Sequence, residues 1–277
     1  MPFYSIYLIA IWVVLAALKP TRKFMLALAP WLLFACCYDW MRLLPNWKVN
    51  PIDVEGIYNA EKSLFGIMTP EGVVIPGEYF NAHNSTWQDL LAGFFYLCWV
   101  PVPLGYAIFL YARKRREEYL KFSVAFLWIN LFGFFFYYVH PAAPPWYVLQ
   151  HGFEVNLNTP GSVAGLARFD ALMPFPIFAN IYSGNSNVFA AVPSLHSAYV
   201  LTAAIYAWFN RSSKWTALCF FVISAGIWWT AVYSCHHYVI DVLLGIAEAI
   251  VGIFILERLL LRIPAVKRGM EKYVSML

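Results

Sequence analysis

A chain of 277 residues that is 61% hydrophobic and 12% charged, with a mean hydropathy of +0.61, is too poor in charge for a water-soluble fold, since soluble domains carry about a quarter charged residues. The formal net charge of +4 would suit nucleic acid only if it formed one basic face. Lys and Arg instead fall in short clusters between apolar runs, which is a topology pattern and implies no nucleic acid partner.

Apolar runs extend from end to end without a linker or repeat, predicting one all-α membrane domain over 1–277, a polytopic transmembrane bundle of about six or seven spans. In chain order the runs are 3–18, 24–44, 90–112, 122–139, 194–209, 215–233 and 238–261. The first has no basic stretch before it and is followed by Lys19, so it reads as a retained helix rather than a secretory signal. Segment 45–87 mixes aromatic and polar residues, as interfacial helices at headgroup level do. Basic clusters at Lys19 to Lys23, Arg113 to Lys121, Arg211 with Lys214, and Arg262 to Arg268 alternate by side and predict cytoplasmic joints. The opposite joints should face the periplasm or a lumen, with the N-terminus on that side. The abundant Trp, Tyr and Phe residues are expected mainly on lipid or in interfacial belts.

Ionisable side chains at membrane depth are costly, so His196, His236, His237 and Asp241 at the ends of apolar helices require a reason. His237 and Asp241 stand four apart on the helix that 238–261 predicts, one turn up the same side. A carboxylate there can hold one imidazole nitrogen and leave the other free to attack. Pro193-Ser194-Leu195-His196-Ser197 reads as a helix start, whose unpaired N–H groups favour phosphate oxygens and would set Ser194, Ser197 and His196 beside them. These histidines and Asp241 include acceptable metal ligands, but adjacent helical residues diverge by about 100 degrees, so no metal is expected. The cysteines show no disulfide or metal spacing.

Pro193-Ser194-Leu195-His196 followed by His236-His237-Tyr238 and Asp241 resembles the type 2 phosphatidic acid phosphatase superfamily. Trp228-Trp229-Thr230, Tyr233, Gly245, Ala143 to Tyr147 and Gly165 to Asp170 narrow the resemblance to its inositol phosphorylceramide synthase-like branch, over about 140–245. The resemblance implies that His237 attacks phosphorus, Asp241 orients it and His196 protonates the leaving alkoxide, with no cofactor. The implied donor is a phosphatidylinositol-type lipid and the implied acceptor is ceramide or another lipid alcohol; with water as acceptor the same residues would make a lipid phosphate phosphatase. A non-enzymatic lipid transporter or scaffold is the alternative of another class.

The chain departs from the broad superfamily in having Gly133 and His140-Pro141 where Lys and Arg-Pro are usual, and Ala231 where an Arg precedes the nucleophile. Charge developing on phosphorus still has to be balanced. Arg168, the lone Lys or Arg between His140 and Pro193, is the expected substitute; it, His140 or His236 would grip phosphate while Asp170 positions Arg168 or an inositol hydroxyl. Trp146 and Tyr147 either line an inositol ring or anchor their loop. Segment 140–192 is thus the expected active-site loop and 193–261 the catalytic helices.

Overall fold

A backbone surrounded by hydrocarbon has no water to satisfy its N–H and C=O groups, so apolar runs of this length pair internally as helices. The computed structural model describes residues 4–184, 187–210 and 212–277; Phe3 of the first predicted run and the basic Arg211 lie outside them.

An N-terminal helical hairpin, α1 (Tyr4–Ala17) and α2 (Arg22–Trp40), leads into the helix α3 (Glu55–Phe65), the small strands β1 (Ile67–Thr69) and β2 (Gly72–Val74), and α4 (Pro76–Ala82). The antiparallel hairpin, with Ile67 opposite Val74, was not foreseen; each strand has three residues, too short for period-2 patterning to show. Next come α5 (Thr86–Leu97), α6 (Pro101–Ala112) and α7 (Arg116–Val139). Pro101 and Pro103, which lack backbone donors, stand where the predicted 90–112 helix breaks into α5 and α6. Three short helices, α8 (Pro145–His151), α9 (Ala167–Asp170) and α10 (Ile177–Tyr182), precede α11 (Leu195–Phe209), α12 (Lys214–Tyr233), α13 (Val239–Arg258) and α14 (Pro264–Met276).

Among the described residues four helical segments are long and apolar enough to cross a membrane: 86–112, 116–139, 214–233 and 239–262. The apolar α1 and α11 have 14 and 15 residues, about 21 and 22 Å of helix against a hydrocarbon core of ~30 Å. The expectation of six or seven spans is therefore met at full length by four, and the shorter helices reach only part of the way unaided.

Helix α11 sits centrally, against α6, α7, α12 and α13. Aromatic residues have two fates: Trp87, Trp208 and Trp215 are exposed, whereas around α11 Tyr96, Tyr206, Phe122 and Phe126 are fully buried, and Trp31 stacks on Phe126 at 4.5 Å. With hydrocarbon outside, ring-on-ring packing is a source of cohesion that lipid contact does not replace. Contact of α11 with α13 depends on a missing side chain, because a Cβ on Gly245 would lie 2.1 Å from the Ser194 carbonyl oxygen. There the Ser194 N–H donates to the Asp241 carbonyl at 2.9 Å. Single β-bridges join Asp53 to Ala142 and Ala142 to Ala190, laying three loop segments side by side on this end of the bundle.

Replacing Gly245 with Ala should push the starts of α11 and α13 apart. We expect a destabilisation of about 1–3 kcal/mol, typical of overpacking, read as a lowered Tm in detergent micelles.

Candidate active site

Helix α11 begins at Leu195 and α13 at Val239, so their close approach brings His196 and His237 together. His196 Nδ1 lies 3.1 Å from His237 Nε2. The Nδ1 of His237 is 3.1 Å from the Ala191 carbonyl and 3.4 Å from Asp241 Oδ2. A carbonyl can only accept, so Nδ1 carries the proton and Nε2 presents a lone pair. His196 Nδ1–H is then the donor in the contact between the rings. Asp241 Oδ2 also accepts the Tyr238 N–H at 2.9 Å, closing the first turn of α13. The Ala191 carbonyl, set by the β-bridges, is thus the nearer partner of His237, ahead of the carboxylate that the i,i+4 spacing suggested.

The rings line a cavity of about 120 Å³ with Trp99, Trp146, Ser162, Tyr182 and Ala191. Small-molecule sites commonly occupy ~300–1,000 Å³, so a head group enters only if these walls part. Tyr96 stacks on His196 at 5.1 Å and Trp99 meets it edge-on at 4.7 Å. The Ser234 hydroxyl donates to the Thr230 carbonyl at 2.7 Å and so accepts from His236 Nδ1 at 2.9 Å, fixing that tautomer as well. Among the described residues lining the cavity there is no Lys or Arg.

Burial lowers His237 to about 4, against the pull of its Ala191 hydrogen bond. Burial first, then proximity of His237 and His196, holds His236 well below its ordinary value. Both rings are therefore neutral near pH 7. The neighbouring Cys235 thiol is pushed up to about 12 by burial and donates to the Gly77 carbonyl at 3.2 Å, which leaves it no role as a thiolate nucleophile.

Several residues expected at the site stand elsewhere. Arg168 Nε donates to Asp89 Oδ1 at 2.7 Å, Nη1 to Asn81 Oδ1 at 3.2 Å, and the guanidinium lies over the Tyr233 ring at 5.1 Å. Burial opposes its charge, but bonding to Asp89 and Tyr233 outweighs this and holds it above its ordinary value. It ties α4, α5 and the end of α12 together, outside the cavity lining. Asp170 does not position Arg168: its carboxylate accepts the N–H groups of Ile177, Phe178 and Ala179 at 3.0, 2.9 and 2.8 Å, capping α10. His140 is half-exposed and pairs with Asp53 at 3.3 Å, away from the cavity lining. Ser194 and Ser197 are buried, with their hydroxyls 3.1 Å apart, and line no part of the cavity. Trp146 is in the lining, whereas the Tyr147 hydroxyl donates to the Glu154 carbonyl at 2.8 Å and accepts from the Asn156 N–H at 2.6 Å, anchoring the loop.

A family model described as the PAP2 superfamily matches residues 76–255. The chain belongs to the PAP2 superfamily. A relative named phosphoinositol dihydroceramide synthase, from Bacteroides thetaiotaomicron, is 53% identical over 254 residues, covering 92% of this chain and 83% of that protein. The inositol phosphorylceramide synthase catalytic subunit of Saccharomyces cerevisiae is 28% identical over 233 residues, 81% of this chain and 54% of the yeast protein. The inositol phosphorylceramide synthase of Candida albicans is 33% identical over 147 residues, 52% of this chain and 30% of its own length. The chain thus spans about half of the yeast protein and less of the Candida one. No solved structure matches.

Within this PAP2 chain, sequence reasoning gave Asp89 and Glu61 no role, and took Tyr233 only as part of the resemblance without seeing its bond to Asp89. Glu61, on α3, accepts the Val239 and Ile240 N–H groups at 2.8 and 3.1 Å, so the segment expected at headgroup level caps the helix that follows His237. An acidic residue in a segment rich in polar groups carries no signal of such a distant partner. Asp89, in the first turn of α5, meets Arg168 across 79 residues of sequence, a separation at which charge alone does not name the partner.

Two expectations follow. Asp89→Ala and Arg168→Ala should each cost about 3 kcal/mol, as breaking a buried pair does, and the double variant should cost less than the sum, which a double-mutant cycle in thermal unfolding measures. Second, the folded chain holds His237 near 4 while the unfolded chain holds it near 6.5, so the unfolded state binds more protons between those values. Stability should therefore fall as pH drops from about 6.5 to 4, by on the order of 3 kcal/mol from this group, and Tm measured across that window should be less acid-sensitive in His237→Asn.

Proposed function

We propose that this chain is a membrane phosphotransferase that moves a phosphoinositol group from phosphatidylinositol to the hydroxyl of ceramide or a similar lipid alcohol, through a phosphohistidine on His237. The observation that carries the reading is the 3.1 Å contact of His196 Nδ1 with His237 Nε2, together with a carbonyl behind His237 that fixes Nε2 as the free nitrogen. The names of the three relatives above, each a synthase, favour a lipid acceptor over water.

In the first half-reaction His196, having taken up a proton as the phosphodiester anion binds, is an imidazolium; His237 Nε2 forms a bond to phosphorus, the bond from phosphorus to the diacylglycerol oxygen breaks, and that oxygen takes the proton from His196 Nδ1, leaving a neutral imidazole. In the second, the acceptor hydroxyl gives its proton to His196, its oxygen bonds to phosphorus and the nitrogen–phosphorus bond breaks. His196 rests on the nucleophile itself rather than across an open gap, so it must turn toward the leaving oxygen as phosphorus enters. Asp241 and the Ala191 carbonyl stabilise the His237 ring as it becomes cationic. With no Lys or Arg among the described cavity residues, charge on the phosphodiester is balanced by imidazoles, and His236 supplies a donor by taking up a proton when the anion arrives.

The whole of 1–277 acts as one membrane domain in this reading: 45–87 covers the site, 140–192 walls it and 193–261 carries the catalytic helices. The site faces the periplasm or a lumen and the basic joints face the cytoplasm, in keeping with the Lys and Arg clusters at the far ends of the helices.

The test uses purified protein, phosphatidylinositol labelled in the head group, and vesicles with and without ceramide. Labelled product that depends on ceramide is expected; free inositol phosphate regardless of ceramide would make the protein a hydrolase, and no turnover would remove the enzyme reading. His237→Ala and His196→Ala should each lose about 10³-fold or more in turnover, Asp241→Asn less, since groups that act as a unit fail together. His196→Gln should retain label on the protein as an acid-labile adduct if the first step still proceeds slowly.

A further inference from the structure

His196 belongs to two cavities. Besides the 120 Å³ site it shares with His237, it lines a groove of about 370 Å³ that also takes in Trp99, Tyr137 and Ile181 from the same site and continues away between the N-terminal hairpin and the face of α7 and α11. The added walls include Leu8 of α1, Phe34 and Ala35 of α2, Phe134 of α7, and Leu195 and Tyr199 of α11. These are apolar or aromatic, and Leu8 is 46% exposed, so the groove's flank is open where lipid surrounds the helices.

The hairpin wall is held in place by its own polar clasp. The Ser5 N–H and hydroxyl donate to Asp39 Oδ2 at 3.0 and 2.6 Å, the Trp40 indole donates to the Ser5 hydroxyl at 2.9 Å, Arg42 lies 3.3 Å from Asp39 Oδ1, and Arg42 Nη2 donates to the Gly184 carbonyl at 3.0 Å. This ties α1 to α2 and both to the loop after α10. All of α1 and α2 lies outside the matched stretch 76–255, so the groove is built partly from residues that the superfamily match does not cover.

We infer that this groove is the subsite for an aliphatic chain of the lipid alcohol, taken in turn by the departing diacylglycerol and the incoming acceptor. The inference rests on the phosphotransfer reading for its chemistry. If one imidazole protonates the leaving oxygen and then deprotonates the attacking one, the two oxygens occupy the same place beside His196, and the chains attached to them leave that place by the same route. Of the two cavities at His196, one contains the nucleophile and must hold phosphorus; the other is mostly apolar, with Ser5, Asp39 and Arg42 as the polar part of its wall, and is open on the lipid side, as a subsite for an aliphatic chain should be. The α1–α2 hairpin then sets which chain lengths are accepted.

The test compares Ala35→Trp and Leu8→Trp, which fill the groove from α2 and α1, with Leu33→Trp, an exposed position on α2 outside the groove lining. Each is assayed in vesicles with phosphatidylinositol and either a short-chain or a long-chain ceramide. In parallel, the wild type is photolabelled with a ceramide bearing a diazirine in its chain, and labelled peptides are mapped. The expected result is a rise of about tenfold or more in KM for the long-chain acceptor in both groove variants, the scale of discrimination by apolar pockets, with a much smaller change for the short-chain acceptor and none for Leu33→Trp. Labelling should fall on α1, α2 or α7 residues of the groove and be competed by long-chain lipid alcohol. Equal losses on both chain lengths in both variants, or no change, would overturn the inference, as would labelling confined to other faces. A wild type that takes up the label in the groove yet makes no phosphoinositol lipid would sink the phosphotransfer reading while leaving the chain-binding groove standing.

Discussion

The backbone N–H of Ser194 donates to the Asp241 carbonyl at 2.9 Å, across a contact that Gly245 keeps free of side-chain atoms. Two helix starts from distant parts of the chain are thereby held at backbone separation. Each carries a histidine within its first turn or just before it, so the ring-to-ring distance is inherited from main-chain geometry rather than from flexible side chains. A site built this way can be accurate without a metal or a disulfide to hold it, because close-packed interfaces resist displacement.

Around that contact lie successive supports. The Ala191 carbonyl reaches His237 because the bridges through Ala142 align the loops on either side. Glu61 and Asp241 both accept N–H groups at the first turn of α13, where the helix dipole favours negative charge. Asp89 joins Arg168 to Tyr233 at the end of α12, directly before the turn that bears His236 and His237. The cations and carboxylates of the loops are therefore used to position segments, and the cavity itself is left to imidazoles and aromatic rings.

That division explains an apparent deficit of positive charge. In the proposed reaction a neutral, buried imidazole pair would carry no uncompensated charge of its own and would become cationic only beside an anion that pairs with it. A permanent guanidinium in the same small cavity would carry its desolvation cost at all times. Arg168 lies outside the lining, where the carboxylate of Asp89 offsets the desolvation of its charge.

The all-α membrane class followed from composition and the length of the apolar runs, and the residues His196, His236, His237 and Asp241 from the cost of placing ionisable groups in such runs; both are properties of side chains and their solvent. The i,i+4 relation of His237 to Asp241 is local and was equally legible. Partnerships over long sequence separation were not: Arg168 looked like a phosphate ligand and Asp170 like its neighbour because a string of residues does not show that Asp89 and the α10 backbone stand closer. Nor could it show that a backbone carbonyl, which every residue has, would be the atom that orients His237. Only the tertiary structure decides such contacts, because they depend on how closely two helices approach, and here that approach is set by one glycine meeting one carbonyl.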